Sequence, residues 1–177
     1  MANANVTTEW VGGDLYYYDK NGNEIFHIDG TNGRLVIADQ LVDATASTLA
    51  VTAAAHEGRT VTLNRAAGIA VTLPAATGSG AKYRFVVGTA VSGGSHVIGV
   101  TGSAIFKGLA LGLDGDGVPA NAWAAGASDE VFTMDGSTQG GAVGDVVEFQ
   151  DIAADVWAVQ ARLQQSGTEA TPFSSAA

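Results

Sequence analysis

The feature that most constrains the fold of this chain is the alternation of short β-branched segments with Gly-containing turn pairs. Asp-Gly and Asn-Gly pairs tolerate the positive φ of tight hairpin turns. These pairs recur along the chain at Asn21-Gly22, Asp29-Gly30, Asn32-Gly33, Asp114-Gly115, Asp116-Gly117 and Asp135-Gly136. Between them lie segments such as Glu24–Ile28, Arg59–Leu63 and Tyr83–Val87, which are rich in residues that favour strands. The pattern predicts an all-β protein.

Composition indicates how thick the core is and which classes of partner are disfavoured. A length of 177 residues suits about one domain with appended arms, and the hydrophobic fraction of 46% is enough for a packed core. Much of that fraction is Ala and only 7% is aromatic, so the core is expected to be thin and sandwich-like. The net charge of −10 disfavours nucleic acid and anionic membranes as partners, although acidity also simply keeps a protein soluble.

Cysteine is absent, which excludes disulfides and thiolate metal sites. The first residues lack the basic and apolar regions of a secretory signal, and no window reaches the ~18 apolar residues of a membrane-spanning helix. We therefore expect a soluble protein made in a cytoplasm.

Residues 1–43 are predicted to form an N-terminal β-hairpin arm. Asp14–Tyr18 and Glu24–Asp29 are strand candidates on either side of a turn, and Arg34–Ile37 follows the next Gly turn as a third. An isolated hairpin is marginal in water, and three consecutive tyrosines place an aromatic ring on each face of the strand. The arm must therefore pack against the main domain or a neighbouring copy, and its small size favours the neighbouring copy. The candidate interface residues are Tyr16, Tyr17, Tyr18, Phe26 and Ile28.

Residues 44–163 are predicted to form an antiparallel β-sandwich or barrel-like domain. Val61 and Leu63 alternate with threonines, and Ala70–Leu73 repeats the pattern after a connection of hairpin length. Tyr83–Val87 is almost entirely apolar or aromatic and is expected to be a central strand. A final hairpin is predicted from Asp145–Gln150 and Val156–Gln160.

Three segments are predicted to be loops or tails. Residues 114–129 are rich in Gly, Ala and Asp, and residues 136–144 are rich in Gly, so both are expected to be exposed loops. Residues 164–177 are rich in Ser, Thr and Ala and are predicted to form a flexible C-terminal tail.

Residue spacing provides no constellation for catalysis or metal binding. His27, His56 and His96 lie far apart and lack metal-ligand spacing. The acidic turns that begin at Asp19 and Asp114 both lack the oxygen ligand that a calcium loop needs at its twelfth position. Neither a serine-nucleophile elbow nor a phosphate-binding loop is present. We therefore expect no enzymatic activity, no metal and no cofactor.

One enzymatic alternative stays open at this stage. Asp145, Glu148 and Asp151 lie close together, as the two carboxylates of a glycoside hydrolase must. Acids that border a strand are usually solvated, however, so the simpler interpretation is a polar strand edge.

The tryptophans suggest an alternative of another class, a carbohydrate-binding module. Trp10, Trp123 and Trp157 are the candidates for stacking on a sugar. Trp157 alternates with small apolar residues and is expected in the core. Trp123 lies in a predicted loop and is therefore the candidate residue for glycan stacking.

Several short segments of the chain have distinctive sequences. They are Gly58–Gly68, Val71–Gly80, Tyr83–Thr89, Gly144–Glu148 and Gly167–Phe173, together with the opening Leu15–Glu24. In these segments the chain resembles small structural, decoration-like virion proteins of tailed bacteriophages, especially those of marine and podovirus-like phages. The similarity covers roughly residues 58–173. It carries no catalytic residues to transfer.

The resemblance implies a virion component that is assembled in the host cytoplasm. An outer position on the capsid is favoured, because packaged DNA repels an acidic protein. The expected function is capsid decoration, in which many copies bind the major capsid protein and each other, a trimer being one arrangement, and stabilise contacts between capsomers. A tail- or fibre-associated structural protein is the alternative within the same class.

Overall fold

The computed structural model describes residues 6–22, 24–37, 41–115 and 120–175. The chain divides into two compact units, Met1–Gln40 and Leu41–Ala177, which we call the arm and the main domain. The sequence-based boundary falls slightly later, after residue 43. The structure moves it because strand β5 (Leu41–Ala44) pairs with a strand of the main domain.

The arm is a four-stranded antiparallel sheet in which each strand pairs with the next. Its strands are β1 (Thr7–Val11), β2 (Asp14–Tyr18), β3 (Glu24–Asp29) and β4 (Arg34–Ile37). The sequence predicts the last three of these strands but not β1. Gly12 and Gly13, both at positive φ, form the tight β1–β2 turn that makes the predicted hairpin arm one strand larger.

The main domain consists of two further sheets, so the prediction of an all-β, sandwich-like protein is confirmed. The seven-stranded sheet has the order β12-β11-β15-β14-β9-β7-β5, and the five-stranded sheet has the order β16-β13-β10-β8-β6. After β5 the elements are β6 (Thr48–Ala50), α1 (Ala53–His56), β7 (Thr60–Leu63), β8 (Ala70–Thr72), β9 (Lys82–Val87), β10 (His96–Gly99), β11 (Ile105–Asp114), β12 (Asn121–Ala124), β13 (Val131–Met134), β14 (Val146–Ala153), β15 (Val156–Gln165) and β16 (Phe173–Ser174).

Both sheets of the main domain are mixed, where the sequence suggests purely antiparallel pairing. The pairs β5–β7, β7–β9 and β11–β15 are parallel in the larger sheet, as are β6–β8 and β8–β10 in the smaller one. The predicted hairpin between β7 and β8 is wrong, because these strands lie in different sheets. From β5 to β10, successive strands alternate between the two sheets, so each sheet receives every second strand. These strands run in the same direction within their sheet and pair in parallel.

The core lies between the inner faces of the two sheets. Phe149 of β14 packs against Phe85 and Phe106, with ring centroids 6.0 and 5.2 Å away. It also meets Phe132 of the five-stranded sheet edge to face at 6.2 Å, and Phe132 in turn contacts Phe173 at 5.2 Å. This chain of buried rings joins the two layers.

The prediction of a flexible tail over residues 164–177 is wrong for its described part. Strand β15 continues to Gln165, and β16 adds an edge to the five-stranded sheet. Phe173 is only 4% exposed. Burial of this aromatic ring outweighs the polar composition around it, which is why composition alone misplaces the segment.

The predicted exposed loop at residues 136–144 is also wrong in part. The Asp135 carboxylate accepts hydrogen bonds from the backbone N–H groups of Ser137 and Gln139. Gly140 and Gly141 are buried, and the N–H of Gly141 donates to the buried Asp145 carboxylate. The polar groups of this segment are therefore satisfied internally, and the segment packs as part of the domain. Residues 116–119 of the other predicted loop lie outside the described residues.

Candidate interaction surface

Cross-strand register gives the arm two chemically different faces. Paired residues of antiparallel strands share a face, and successive residues alternate between faces. One row across the four strands is Trp10, Leu15, Ile28 and Leu35, and the row beside it is Thr8, Tyr17, Phe26 and Ile37. We call this uncharged surface the apolar arm face.

The apolar arm face is open to solvent. Trp10 is 71% exposed, Leu35 61%, Ile37 53% and Ile28 43%. Tyr17 and Phe26 are half-buried, and their rings stack on each other with centroids 4.3 Å apart. Contiguous exposed apolar surface of this kind is typical of a protein-interaction site, whereas single exposed apolar residues are not.

The opposite side carries aromatic rings among carboxylates. Glu9, Tyr16, His27 and Val36 form one row across the strands, with Tyr18 beside Tyr16. The Tyr16 ring stacks on His27 at 4.6 Å and on Tyr18 at 6.1 Å.

Carboxylates surround these rings. The Glu24 Oε1 atom lies 2.7 Å from His27 Nδ1. Desolvation raises the pKa of the Tyr18 hydroxyl, and the carboxylates of Glu9 and Glu24 raise it further. We call this side the acidic aromatic arm face.

The turn between β3 and β4 explains how so small a sheet keeps its register. The Asp29 carboxylate accepts hydrogen bonds from the side chain and backbone N–H of Asn32, from the backbone N–H of Thr31 and from Arg34 Nε. The Asn32 side-chain and backbone bonds, with further help from Arg34, lower the pKa of Asp29 to about 2. A Cβ at Gly30 would collide with the carbonyl oxygen of Gly13, so the Asp29-Gly30 pair allows two turns to approach each other.

The structure divides the interface residues predicted from the sequence between these two faces. Tyr17, Phe26 and Ile28 belong to the apolar arm face, and Tyr16 and Tyr18 belong to the acidic aromatic arm face. The sequence-based set missed Thr8 and the four apolar members Trp10, Leu15, Leu35 and Ile37 of the apolar arm face. Strand alternation combined with the register of the turns would have found them.

Trp123 lies in strand β12, not in the loop that the sequence predicts. It is half-buried and packs against the core, and its Nε1–H donates to Gln165 Oε1 at 3.2 Å. One side of the indole is therefore already covered, which weakens the interpretation as a platform for a sugar ring. Trp157 is 1% exposed, and its predicted place in the core is confirmed.

The three clustered carboxylates do not converge on a common site. Asp151 is buried and accepts hydrogen bonds from the N–H groups of Thr77, Gly78 and Ser79, with Asp151 oxygens 2.7–3.1 Å away. Those bonds hold the pKa of the Asp151 carboxyl far below its usual range against the opposing effect of desolvation. Asp145 is likewise buried, whereas Glu148 points to the outer side of the sheet and pairs with Arg84. The two buried acids fix loops to strands.

The histidines also have local roles. His56 Nδ1 accepts the backbone N–H of Thr52 at 3.0 Å, and His96 Nδ1 accepts that of Ile69 at 3.1 Å. Burial lowers the pKa of His96 to about 4. Within the described ranges, no group of three or more His, Asp or Glu side chains is arranged to hold a metal ion.

No protein-family model, no curated protein and no solved structure matches this chain. Among the residues that the structure describes, no helix is long and apolar enough to cross a membrane. The arm therefore presents one exposed apolar face and one face of aromatic rings beside carboxylates.

Proposed function

We propose that this chain is a structural virion protein, a capsid decoration protein that binds the outer surface of a phage head through its apolar arm face. The observation that carries the proposal is the exposed, uncharged face of a four-stranded sheet. The major capsid protein is the proposed partner of this face. The resemblance of segments such as Gly58–Gly68 and Tyr83–Thr89 to phage structural proteins supports the choice of a virion.

The size of the apolar arm face suits repeated binding. Covering its exposed side chains would remove roughly 500 Å² of apolar surface from water, which is worth about 12 kcal/mol before costs. Association itself costs about 4–15 kcal/mol. A single arm would therefore bind with modest affinity, and contacts between neighbouring copies on a symmetric shell would strengthen the attachment.

Charge supports an external position. The chain has 18 acidic and 8 basic residues, and packaged DNA presents a dense array of phosphates. An acidic protein is repelled from that interior, whereas on the outer surface its charge keeps particles dispersed.

The test is binding of labelled full-length protein to purified particles of the virus that encodes the chain, viewed by electron microscopy. Leu35→Glu places a charge in the apolar arm face and should abolish labelling of heads. Val143→Glu is the matched control, because Val143 is 65% exposed in the main domain, close to the 61% of Leu35, and it should label heads normally.

Each outcome separates the alternatives. Label on heads that is lost only with Leu35→Glu supports decoration through the arm. Label on tails or fibres would replace it with the tail-associated alternative, and absence of label on any particle would refute a virion role. Equal loss with both variants would exclude the apolar arm face as the binding surface.

A further inference from the structure

The main domain has a distinctive surface of its own, on the outer side of the seven-stranded sheet. Five of the chain's eight Lys and Arg residues line it, namely Arg59, Lys82, Arg84, Lys107 and Arg162. They come from β9, β11 and β15 and from the turn before β7, and strand alternation brings them to one side. We call this surface the basic sheet face.

The basic sheet face is concave. It contains two adjoining hollows of about 390 and 470 Å³, which share Glu148, Ala158 and Gln160 in their lining. Volumes of this order hold several side chains of a partner. Leu109 and Leu111 line the second hollow and are 47% and 45% exposed, so apolar contact is available beside the cations.

The cations of this face are only partly neutralised. Of the acidic residues that the structure describes, only Glu148 lines the two hollows, and it pairs with Arg84, with Nε and Oε1 3.1 Å apart. Lys107 Nζ donates to the carbonyls of Gly126 and Ala127. Within the described ranges, Arg59, Lys82 and Arg162 have no ion-pair partner.

The charge of the whole chain is therefore strongly asymmetric. The lining of the two hollows has five cations and one carboxylate, a net charge of +4, and the remaining three cations and seventeen carboxylates of the chain give −14. Asp43 of β5 lies on the same side of the sheet, outside the two hollows. Two copies with a net charge of −10 repel each other in most orientations. Charge attracts two copies only in an orientation that brings the basic sheet face of one against acidic surface of the other.

The acidic aromatic arm face has the complementary chemistry. It presents Glu9, which is exposed, and Glu24 beside the stacked rings of Tyr16 and Tyr18. Arg and Lys pair with carboxylates and also lie favourably over aromatic rings. Nucleic acid fits less well, because the rest of the chain is acidic and the two aromatic residues that line the hollows, Tyr83 and Phe149, are buried.

We propose that the basic sheet face binds the acidic aromatic arm face of a second copy of this chain. Such a contact joins two different surfaces, so it produces head-to-tail rings or chains of copies. This contact extends the proposed function and rests on it, because copies of a decoration protein lie side by side on the shell. It leaves the apolar arm face free for the shell.

Sedimentation velocity of the full-length protein tests this contact at about 20 mM and about 500 mM NaCl. Self-association is expected at low salt and is expected to weaken at least about tenfold at high salt. Lys82→Glu and Arg162→Glu should each weaken it by about tenfold or more at low salt. Lys20→Glu is the matched control, because it makes the same charge change at an exposed turn of the arm and should leave association intact.

A mixing experiment then identifies the two surfaces. Lys82→Glu retains its arm face, and Glu9→Lys retains its basic sheet face, so each variant alone should be monomeric. Their mixture should form dimers and nothing larger, because only one productive contact per pair remains.

Other results would overturn the inference. A wild-type chain that stays monomeric at low salt, or equal weakening by Lys20→Glu, rules it out. Association that is lost in Leu35→Glu but kept in Lys82→Glu would show that copies meet through the apolar arm face. Tight binding of an oligo-dT probe that Lys82→Glu abolishes would identify nucleic acid as the occupant. If a monomeric Lys82→Glu variant labels heads normally, the contact between copies is not needed for decoration, and the decoration proposal stands. If the wild-type protein fails to label heads, the decoration proposal is refuted whatever the result for self-association.

Discussion

The arm and the main domain use the same strand alternation with opposite results. In β15 of the main domain, buried residues alternate with exposed or half-exposed ones along its length, because the five-stranded sheet covers one side. In the arm, every residue of β1 is exposed and every residue of β2 is half-exposed. Alternation thus assigns side chains to faces, but only a second layer buries one of them.

The arm and the main domain are also stabilised by different interactions. The main domain has a continuous core of buried side chains that extends along the sequence from Ala44 to Phe173. The arm relies on stacked pairs such as Tyr17–Phe26 and on turn hydrogen bonds to Asp29. Cross-strand pairs contribute about 0.2–1 kcal/mol each, far less than a buried aromatic side chain.

The largest effect is expected from Phe149→Ala. Phe149 contacts three other aromatic rings in the core, so its removal should lower the free energy of unfolding of the main domain by about 4 kcal/mol. Phe26→Ala is the counterpart in the arm and should cost about 1 kcal/mol or less. Urea unfolding followed by tryptophan fluorescence measures both. Similar losses for the two variants would contradict the distinction between a cored and a coreless sheet.

The next effect concerns the C-terminal segment. Truncation after Gln165 removes β16 and uncovers Phe132, so it should lower the free energy of unfolding by about 3 kcal/mol. Truncation after Ser175 keeps β16 and serves as the control, with no expected change. If both truncated proteins unfold at the same urea concentration as the full chain, the segment contributes as little as a free tail.

His96 should make the main domain sensitive to acid. Burial lowers the folded-state pKa of His96 to about 4, whereas in the unfolded chain it lies near 6.5. Between these values the unfolded chain binds more protons, so stability falls as pH decreases from about 6.5 to 4, by about 2–3 kcal/mol at pH 4. NMR titration of the imidazole signals provides the direct measurement. A His96 midpoint near 6.5 would refute the burial argument.

Much of the fold was predictable because its signals are local. Alternation in Thr60–Leu63 and the apolar segment Tyr83–Val87 identify strands, and both occur where expected. Strand partners were not predictable, because the pairing of β11 with β15 depends on contacts between distant parts of the chain. The anchoring of Phe173 was missed because one buried ring within a polar segment leaves no periodic pattern.

The candidate surfaces were only partly predictable for a related reason. Three consecutive tyrosines indicate rings on both faces of a strand, and this expectation is met. The members of each face depend on four-strand register, which the sequence leaves open until β1 is recognised. The basic sheet face was harder to predict. Lys82 and Arg84 alternate with aromatic residues and indicate a strand with one solvent-exposed face, but the other cations are dispersed between Arg59 and Arg162.

The smallest effect on folding is expected at the most exposed aromatic residue, Trp10. Its side chain is 71% exposed on the edge strand of the arm, so Trp10→Ala should change the free energy of unfolding by about 0.5 kcal/mol or less. The same variant should markedly weaken binding to heads, because large aromatic side chains dominate binding energy at interfaces. Urea unfolding and head labelling, measured on one preparation, separate the two effects. A loss of several kcal/mol in folding would show that Trp10 is part of a core, and the arm would then no longer differ from the main domain in the way described.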